Sequence, residues 1–369
     1  MSENNRKILL LSAYEAKSHK YWRKFLEENL SGYHFTSAVL PPRFFSWRMF
    51  GNPVIFSEYE SEKLSGNYDL IIATSMCDMA TIKGFYPNLS ETPLVVYFHE
   101  NQFAYPETER VKSYQDAQMK SINSAVVADR LLFNSFYNMQ TFLEKGERLI
   151  RKMPDYNKIK LFDRLADKSE VLPVPVYPVN SDEKTSNSVP VILWNHRWEY
   201  DKAPERFFRA MEKLKNEGYR FKLNIVGQQF RRQPECFNKY KNIFKDEILN
   251  WGYVQDVDKY DEILRSSDFV VSTSLHEFQG LAVLEAVSAG VVPVVPDRMS
   301  YREIFQDIYK YASYERDSEK DVNALVEKLG MFIDQYNKGE YVPIPDISRF
   351  YVSNLKSRYE KILATSLYF

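Results

Sequence analysis

The stretch Phe269-Val-Val-Ser-Thr-Ser-Leu-His-Glu-Phe-Gln-Gly-Leu-Ala-Val-Leu-Glu285 reads as a strand, a turn and a helix in immediate succession. Residues 269–274 are apolar or small throughout, the pattern of a strand with no face turned to solvent. His276 and Glu277 stand at its tip. Gly280 then opens an apolar helical run to Gly290 in which Glu285 is the one carboxylate. A doubly buried strand that passes at once into a helix is the building unit of parallel, doubly wound sheets, so the stretch predicts an α/β chain.

The same alternation recurs on both sides. In the first half, residues 7–12, 36–40, 69–75, 94–98 and 130–135 are strand candidates, with a helical pattern over 19–30. Residues 174–188, rich in proline and small polar residues, read as a linker. The alternation restarts at 189–195, 221–227, 269–272 and 291–295. A last helical pattern over 348–364 has no strand after it, and it is expected to pack back on the first domain. The expected organisation is an N-terminal Rossmann-like domain over 1–180, a second one over 189–345 and a returning C-terminal helix over 346–369. Two such sheets are expected to face a central cleft, since doubly wound sheets bind ligands at the carboxyl ends of their strands.

Composition agrees with two ordinary cores. The chain has 369 residues, 44% of them hydrophobic and 15% aromatic. With 49 Lys and Arg against 50 Asp and Glu and a pI near 6.6, there is no global field to draw in a polyanion, so any nucleic-acid contact is local. Cys77 and Cys236 are isolated, which suggests neither a disulfide framework nor a thiolate metal site. No apolar run reaches signal-peptide or membrane-spanning length, and a cytoplasmic chain without membrane contact is expected.

Polar motifs cluster just past the strands. His99-Glu100-Asn101-Gln102 follows one, Asn134-Ser135 closes another, and residues 196–202 (His-Arg-Trp-Glu-Tyr-Asp-Lys), Gly227-Gln228 and His276-Glu277 follow three more. Of the five histidines, 19, 99, 196 and 276 lie in such turns, whereas His34 precedes a strand and gets no role. Arg197 and Lys202 suit a diphosphate as a planar fork and a point charge; paired with Glu199 and Asp201 they would equally make a solvated loop. Glu285 in an apolar helix calls for a partner, and the free amides at the Gly280 helix start make a phosphate seat. Tyr33, Trp47 and Trp251 have no positional argument and read as core or interface aromatics.

Glu277-x7-Glu285 with Gly280 between them resembles the donor-site signature of retaining glycosyltransferases of the two-domain GT-B type, and Arg197 with Lys202 resembles their diphosphate-binding pair. More specifically, Tyr97-Phe-His-Glu-Asn-Gln102, Phe133-Asn-Ser135 with Asn138-Met139, residues 196–202, Trp251-Gly-Tyr253 and His276-Glu-Phe278 resemble the tRNA-queuosine alpha-mannosyltransferase family. The resemblance implies transfer of mannose from GDP-mannose, with retention, to the cyclopentenediol of queuosine in the anticodon of a tRNA such as that for aspartate. It implies a donor site of Arg197, Lys202, Gly227, His276, Glu277, Phe278, Gly280, Leu281 and Glu285. Glu285 would hold the ribose, Glu277 the sugar hydroxyls, and Arg197 and Lys202 the departing diphosphate. His99 would face the reacting sugar, making His99, Glu277, Arg197 and Lys202 the catalytic set. Ser18, His19, Glu100, Asn101 and Asn134 would line the acceptor pocket. No metal or other cofactor is implied, and no Asp-x-Asp motif closes a strand near the donor residues.

One loop departs from the family pattern: Ala16-Lys17 stands where a Gly-Gly pair is usual, which restricts close backbone approach and bears on the acceptor pocket. For the tRNA, two basic stretches interleaved with aromatics are candidates. One holds Arg148, Arg151, Lys152, Lys158, Lys160 and Arg164 with Tyr156 and Phe162; the other holds Arg231, Arg232, Lys239, Lys241 and Lys245 with Phe230, Phe237 and Tyr240. No protein partner is predicted. Two other readings stay open: a lipid or glycan acceptor, with Tyr21, Trp22 and Phe25 of the 19–30 helix touching a membrane, and a non-catalytic sugar-nucleotide or tRNA binder.

Overall fold

The computed structural model describes residues 6–104, 114–155, 160–180 and 187–368. The chain separates into two compact units, Met1–Pro175 with Val352–Phe369, and Val176–Tyr351.

The first unit is built on six parallel strands: β1 (Arg6–Ser12), β2 (Tyr33–Val39), β3 (Leu70–Thr74), β4 (Leu94–Phe98), β5 (Arg130–Phe133) and β6 (Ser169–Val171). Their order across the sheet is β2-β1-β3-β4-β5-β6, so the winding reverses between β1 and β3. Every residue of β3 and β4 is buried, which is why these runs show no alternation in the sequence. The helix Lys17–Asn29 follows β1 and buries His19, Trp22, Phe25 and Leu26. Its apolar face therefore belongs to the core, and the reading of Trp22 and Phe25 as membrane contacts is corrected. The helix Val352–Ser366 returns to this unit, where Tyr359 Oη accepts the Trp22 indole N–H at 3.0 Å and donates to the Pro173 carbonyl at 2.9 Å.

The second unit holds β7 (Val191–Trp194), β8 (Lys222–Val226), β9 (Ile248–Gly252), β10 (Phe269–Val271), β11 (Val292–Pro296) and β12 (Lys310–Tyr311). Their order is β12-β11-β10-β7-β8-β9, with every pairing parallel. This is the doubly wound arrangement whose reversal falls between β7 and β10, the place where such sheets open a crevice for a ligand.

Several boundaries differ from expectation. His34 lies inside β2, and Ser18 and His19 lie in the first turn of a helix rather than in a loop. Trp47 is 75% exposed, not core. Phe162, Phe237 and Tyr240 are buried, so they cannot stack on nucleobases as proposed for the basic stretches, and Arg151 is paired with Glu147 at 2.6 Å. Tyr156 and Lys158 lie outside the described residues.

A buried ion pair fixes the end of β10. Arg298, just past β11, donates from Nε to the Ser274 carbonyl at 2.8 Å and from Nη2 to that of Thr273 at 3.2 Å. Its Nη1 meets Asp321 at 2.9 Å on the helix Ser318–Asn337, and Asp321 also takes Arg206 at 2.7 Å. Arg298 and Asp321 are each only 1% exposed, so removing one strands the other's charge. Asp321→Ala is expected to lower unfolding free energy by about 3–5 kcal/mol in denaturant titrations. A loss within experimental error would show that Arg298 is not held by this carboxylate.

Candidate donor and acceptor sites

In the second unit, two loops leave the sheet where its winding reverses. The first, after β7, runs through Asn195 and His196 to Lys202; the second, after β10, carries His276, Glu277 and Phe278 to Gly280. They are stitched together by backbone. The Leu275 N–H donates to the Asp201 carbonyl at 2.8 Å, and Thr273 Oγ1 donates to that of Lys202 at 2.8 Å. Gly227 packs the turn after β8 beneath them: at φ +152° a Cβ would lie 1.9 Å from the His196 carbonyl oxygen, which leaves glycine as the only residue that fits.

Lys202 sits at the centre and is 6% exposed. Its Nζ donates to the His276 carbonyl at 2.6 Å and meets Glu277 and Asp201, each at 3.2 Å. Burial opposes its charge, yet the two carboxylates outweigh that cost and hold the ammonium above its ordinary pKa. Burial likewise opposes the charge of Glu277, but Lys202, His196 and the Gly280 N–H bring it down to about 2. His196 and His276 are pushed down to about 4, first by burial and next by Lys202, so both rings are neutral near pH 7. His196 Nε2 is buried without a hydrogen-bond partner among the described residues. The His276 ring stands edge-on to Phe278 at 4.7 Å.

Arg197 is more open, its side chain 48% exposed, and it pairs with Glu199 at 2.9 Å and with Asp201 at 3.9 Å. The solvated-loop pairing considered from sequence is thus realised, and an incoming anion would compete with Glu199 for the guanidinium. Gly280 starts the helix Leu281–Ser288 in the left-handed region at φ +74°, where a Cβ would press on Tyr301 at 2.7 Å. Leu281 packs against the core of this unit.

Glu285, one turn into that helix, accepts from the Tyr260 hydroxyl at 3.3 Å; Asn195 donates to that same hydroxyl at 3.0 Å and to the Ala282 carbonyl at 2.7 Å. Burial raises the Glu285 carboxyl to about 7 against the Tyr260 hydrogen bond. Asn195, Tyr260 and Arg298 were missed in the sequence. The signal for Arg298 was its place in Pro-Asp-Arg directly past a strand, whereas Tyr260 sits mid-helix with no local mark.

In the first unit, His99 follows β4 and is buried. Its ring stacks on His19 at 4.1 Å and meets the edge of Trp22 at 4.9 Å. Burial, and then His19, keep it well below the ordinary histidine pKa, so the His99 ring is uncharged near pH 7. His99 Nε2 is buried with no hydrogen-bond partner among the described residues. Glu100 is partly exposed beside it, and Ser18 is exposed at the start of its helix.

Asn101 and Asn134 have another task than the acceptor contact expected of them. Asn101 donates to Asn138 Oδ1 at 2.8 Å and Thr141 Oγ1 at 2.9 Å and accepts the Phe103 N–H at 2.9 Å. Asn134 donates to the His99 carbonyl at 2.8 Å and accepts from Asn138 at 2.8 Å. Both amides are consumed in shaping the His99 loop, since buried polar groups must be satisfied.

With this geometry in hand, the chain can be set beside known proteins. Residues 7–176 match the family described as tRNA-queuosine alpha-mannosyltransferase N-terminal, and residues 180–338 match glycosyl transferases group 1. A tRNA-queuosine alpha-mannosyltransferase of Drosophila melanogaster is 28% identical over 340 residues, covering 88% of this chain and 86% of that protein. The chain thus resembles the tRNA-queuosine alpha-mannosyltransferase family over its first half and the glycosyl transferases group 1 family over its second. It is a glycosyltransferase.

Solved structures add the fold. Anabaena HepE in complex with UDP superposes with a TM-score of 0.64 at 15% identity, covering 97% of this chain and 100% of that one. Sucrose-phosphate synthase of Thermosynechococcus elongatus gives 0.66 at 12% identity, covering 98% and 99%. The fold of the chain is accordingly α/β of GT-B type. Among the described residues no group of His, Cys, Asp or Glu is placed to hold a metal ion, and no helix is long and apolar enough to cross a membrane.

Glu285 offers a pH test. Between about 4.5, its ordinary value, and about 7, the folded chain keeps a proton that the unfolded chain has released. Its contribution to stability therefore falls as pH rises through that window and stays low above it. Glu285→Gln, which fixes the neutral form, is expected to gain stability over the parent at about pH 8 but not at about pH 4, read from urea midpoints. An equal difference at both pH values would contradict the raised carboxyl.

Proposed function

We propose that this chain transfers mannose from GDP-mannose to a hydroxyl of the queuosine cyclopentenediol in tRNA, with retention at the anomeric carbon. The observation that carries this reading is the match of residues 7–176, because the acceptor is what separates this family from other GT-B enzymes. The identity of the tRNA, expected to be that for aspartate, belongs to the same proposal, as does the cytoplasmic location.

On the donor side the reading is supported by Lys202. A buried, charged ammonium at the reversal of a doubly wound sheet suits a leaving diphosphate, since fixed charge that needs no reorganisation stabilises a developing anion best. Arg197 would join it by exchanging Glu199 for phosphate. The amides at the start of the helix Leu281–Ser288 would complete the seat, and Gly227 would support it by letting the turn after β8 approach the His196 backbone. Glu285, with Tyr260 and Asn195 behind it, would take the ribose hydroxyls. Glu277, His276 and Phe278 would bound the hexose. In the first unit, His99 with its open Nε2, and Glu100, would meet the acceptor diol.

Glu277 is already committed to Lys202, which argues against its serving as a free nucleophile. Attack on the same face as the departing phosphate fits that arrangement better than a covalent glycosyl intermediate. No step requires a metal.

Incubation with radiolabelled GDP-mannose should label tRNA from queuosine-replete cells and leave queuosine-free tRNA unlabelled. Label in both pools, or in neither, would refute the acceptor. Lys202→Ala and Glu277→Ala should each lower kcat by about two to three orders of magnitude, comparable with loss of one preorganised charge or donor at a reacting centre. Melting curves run alongside distinguish this from unfolding, and near-parent turnover in either variant would refute the donor assignment.

A further inference from the structure

The sequence Pro41-Pro-Arg-Phe-Phe-Ser-Trp-Arg48 follows β2 and leads into the helix Phe45–Tyr59. One face of that helix is anchored: Met49, Asn52, Pro53 and Phe56 are buried, and the Asn52 side chain donates to the Met76 carbonyl at 3.1 Å and accepts the Asp78 N–H at 3.0 Å. The other face is apolar and bare. Phe44 is 70% exposed, Trp47 75% and Val54 64%, with Phe50 between them, and the spacing of three and four places Trp47, Phe50 and Val54 on one stripe. Phe44 holds a left-handed backbone at φ +56°, a conformation a bulky residue seldom adopts, and it keeps its ring in solvent.

The stripe's near end is basic. Arg43 and Arg48 flank the rings, neither has an acidic partner among the described residues, and the Arg43 guanidinium lies 5.9 Å from the Phe44 ring centre. The surface also adjoins the acceptor side of its own unit. Phe45 packs edge-on to Tyr14 at 5.6 Å, Tyr14 belongs to the turn before the helix Lys17–Asn29, and His19 of that helix stacks on His99.

We infer that Phe44 and Trp47, with Arg43 and Arg48, form a stacking platform for unpaired nucleotides of the RNA acceptor. Exposed rings accept any base by its π-face, and unneutralised guanidiniums beside them meet the backbone phosphates, the combination that binds single-stranded nucleic acid. The anchored helix carries Trp47 and Arg48, with Phe44 at its N-cap, on a fixed backbone, which lowers the ordering cost of binding. The two basic stretches considered from sequence lack this combination, because the aromatics placed among them are mostly buried. This inference rests on the tRNA acceptor proposed above and adds where its loop is held.

The test measures binding of a fluorescent anticodon stem-loop RNA to the full chain by anisotropy, with no donor present. The double variant Phe44→Ala/Trp47→Ala is expected to bind at least about tenfold more weakly, as for loss of base stacking. Arg43→Ala/Arg48→Ala is expected to weaken binding and to flatten its salt dependence by about one unit of log-log slope. Arg43, Phe44 and Trp47 are exposed and Arg48 is partly so, and melting temperatures should hold. RNA affinity within twofold of the parent in both double variants would overturn the platform. So would loss of binding to phosphatidylserine vesicles, or dissociation of a dimer in light scattering, with RNA affinity intact. Weakened RNA binding in the variants, alongside absence of mannose transfer by the parent, would uphold the platform and sink the proposed reaction.

Discussion

The arrangement of the second unit depends on one buried cation. Lys202 ends the loop after β7, and its ammonium reaches the backbone and side chain of the loop after β10 through the His276 carbonyl and Glu277. Burying an ammonium is costly unless its partners are close and fixed, and here two carboxylates and a carbonyl supply them. Burial, and next that positive charge, keep His196 and His276 neutral, whereas Glu277 stays ionised against burial because Lys202 stands beside it. Arg298 acts from behind, holding the carbonyls of residues 273 and 274 so that the loop bearing Glu277 leaves the sheet in one direction.

The parallel α/β architecture was legible because its strands are buried on both faces. Runs such as Leu94–Phe98 and Val191–Trp194 show unbroken apolar character, and such runs separated by helical periodicity admit few other folds. Boundaries were less legible. His34 was excluded from β2 although that strand begins at Tyr33, since an edge strand with partly exposed positions carries a weaker apolar signal than its neighbours. Trp47 reads from sequence only as a core or interface aromatic, and the structure leaves it exposed. Burial of the opposite helix face is decided by tertiary contacts of Asn52 and Phe56 that no local pattern reveals.

The site was legible in its residue types more than in their duties. The rule that polar residues just past buried strands face a ligand brought Lys202, Glu277 and the neighbouring histidines together in one unit, and His99 with His19 in the other. It did not separate groups aimed outward from groups that hold the loop. Asn101 and Asn134 obey the rule, yet their amides are spent on Asn138, Thr141 and backbone. Hydrogen-bond saturation of an amide depends on what the fold brings near it, as with Thr141 forty positions along the chain. The elevated Glu285 carboxyl likewise depends on the surrounding packing, with only Tyr260 supplying compensation.

The hydroxyl of Tyr359 has an implication for biosynthesis. It receives the indole proton of Trp22, yet the two residues are 337 positions apart and the whole second unit is translated between them. While the ribosome is still making residues 176–351, the first unit lacks the helix that covers Trp22 and Phe25, so the second unit can complete its own core first. The nascent amino-terminal half must wait with apolar surface uncovered, a state in which chaperone protection counts most.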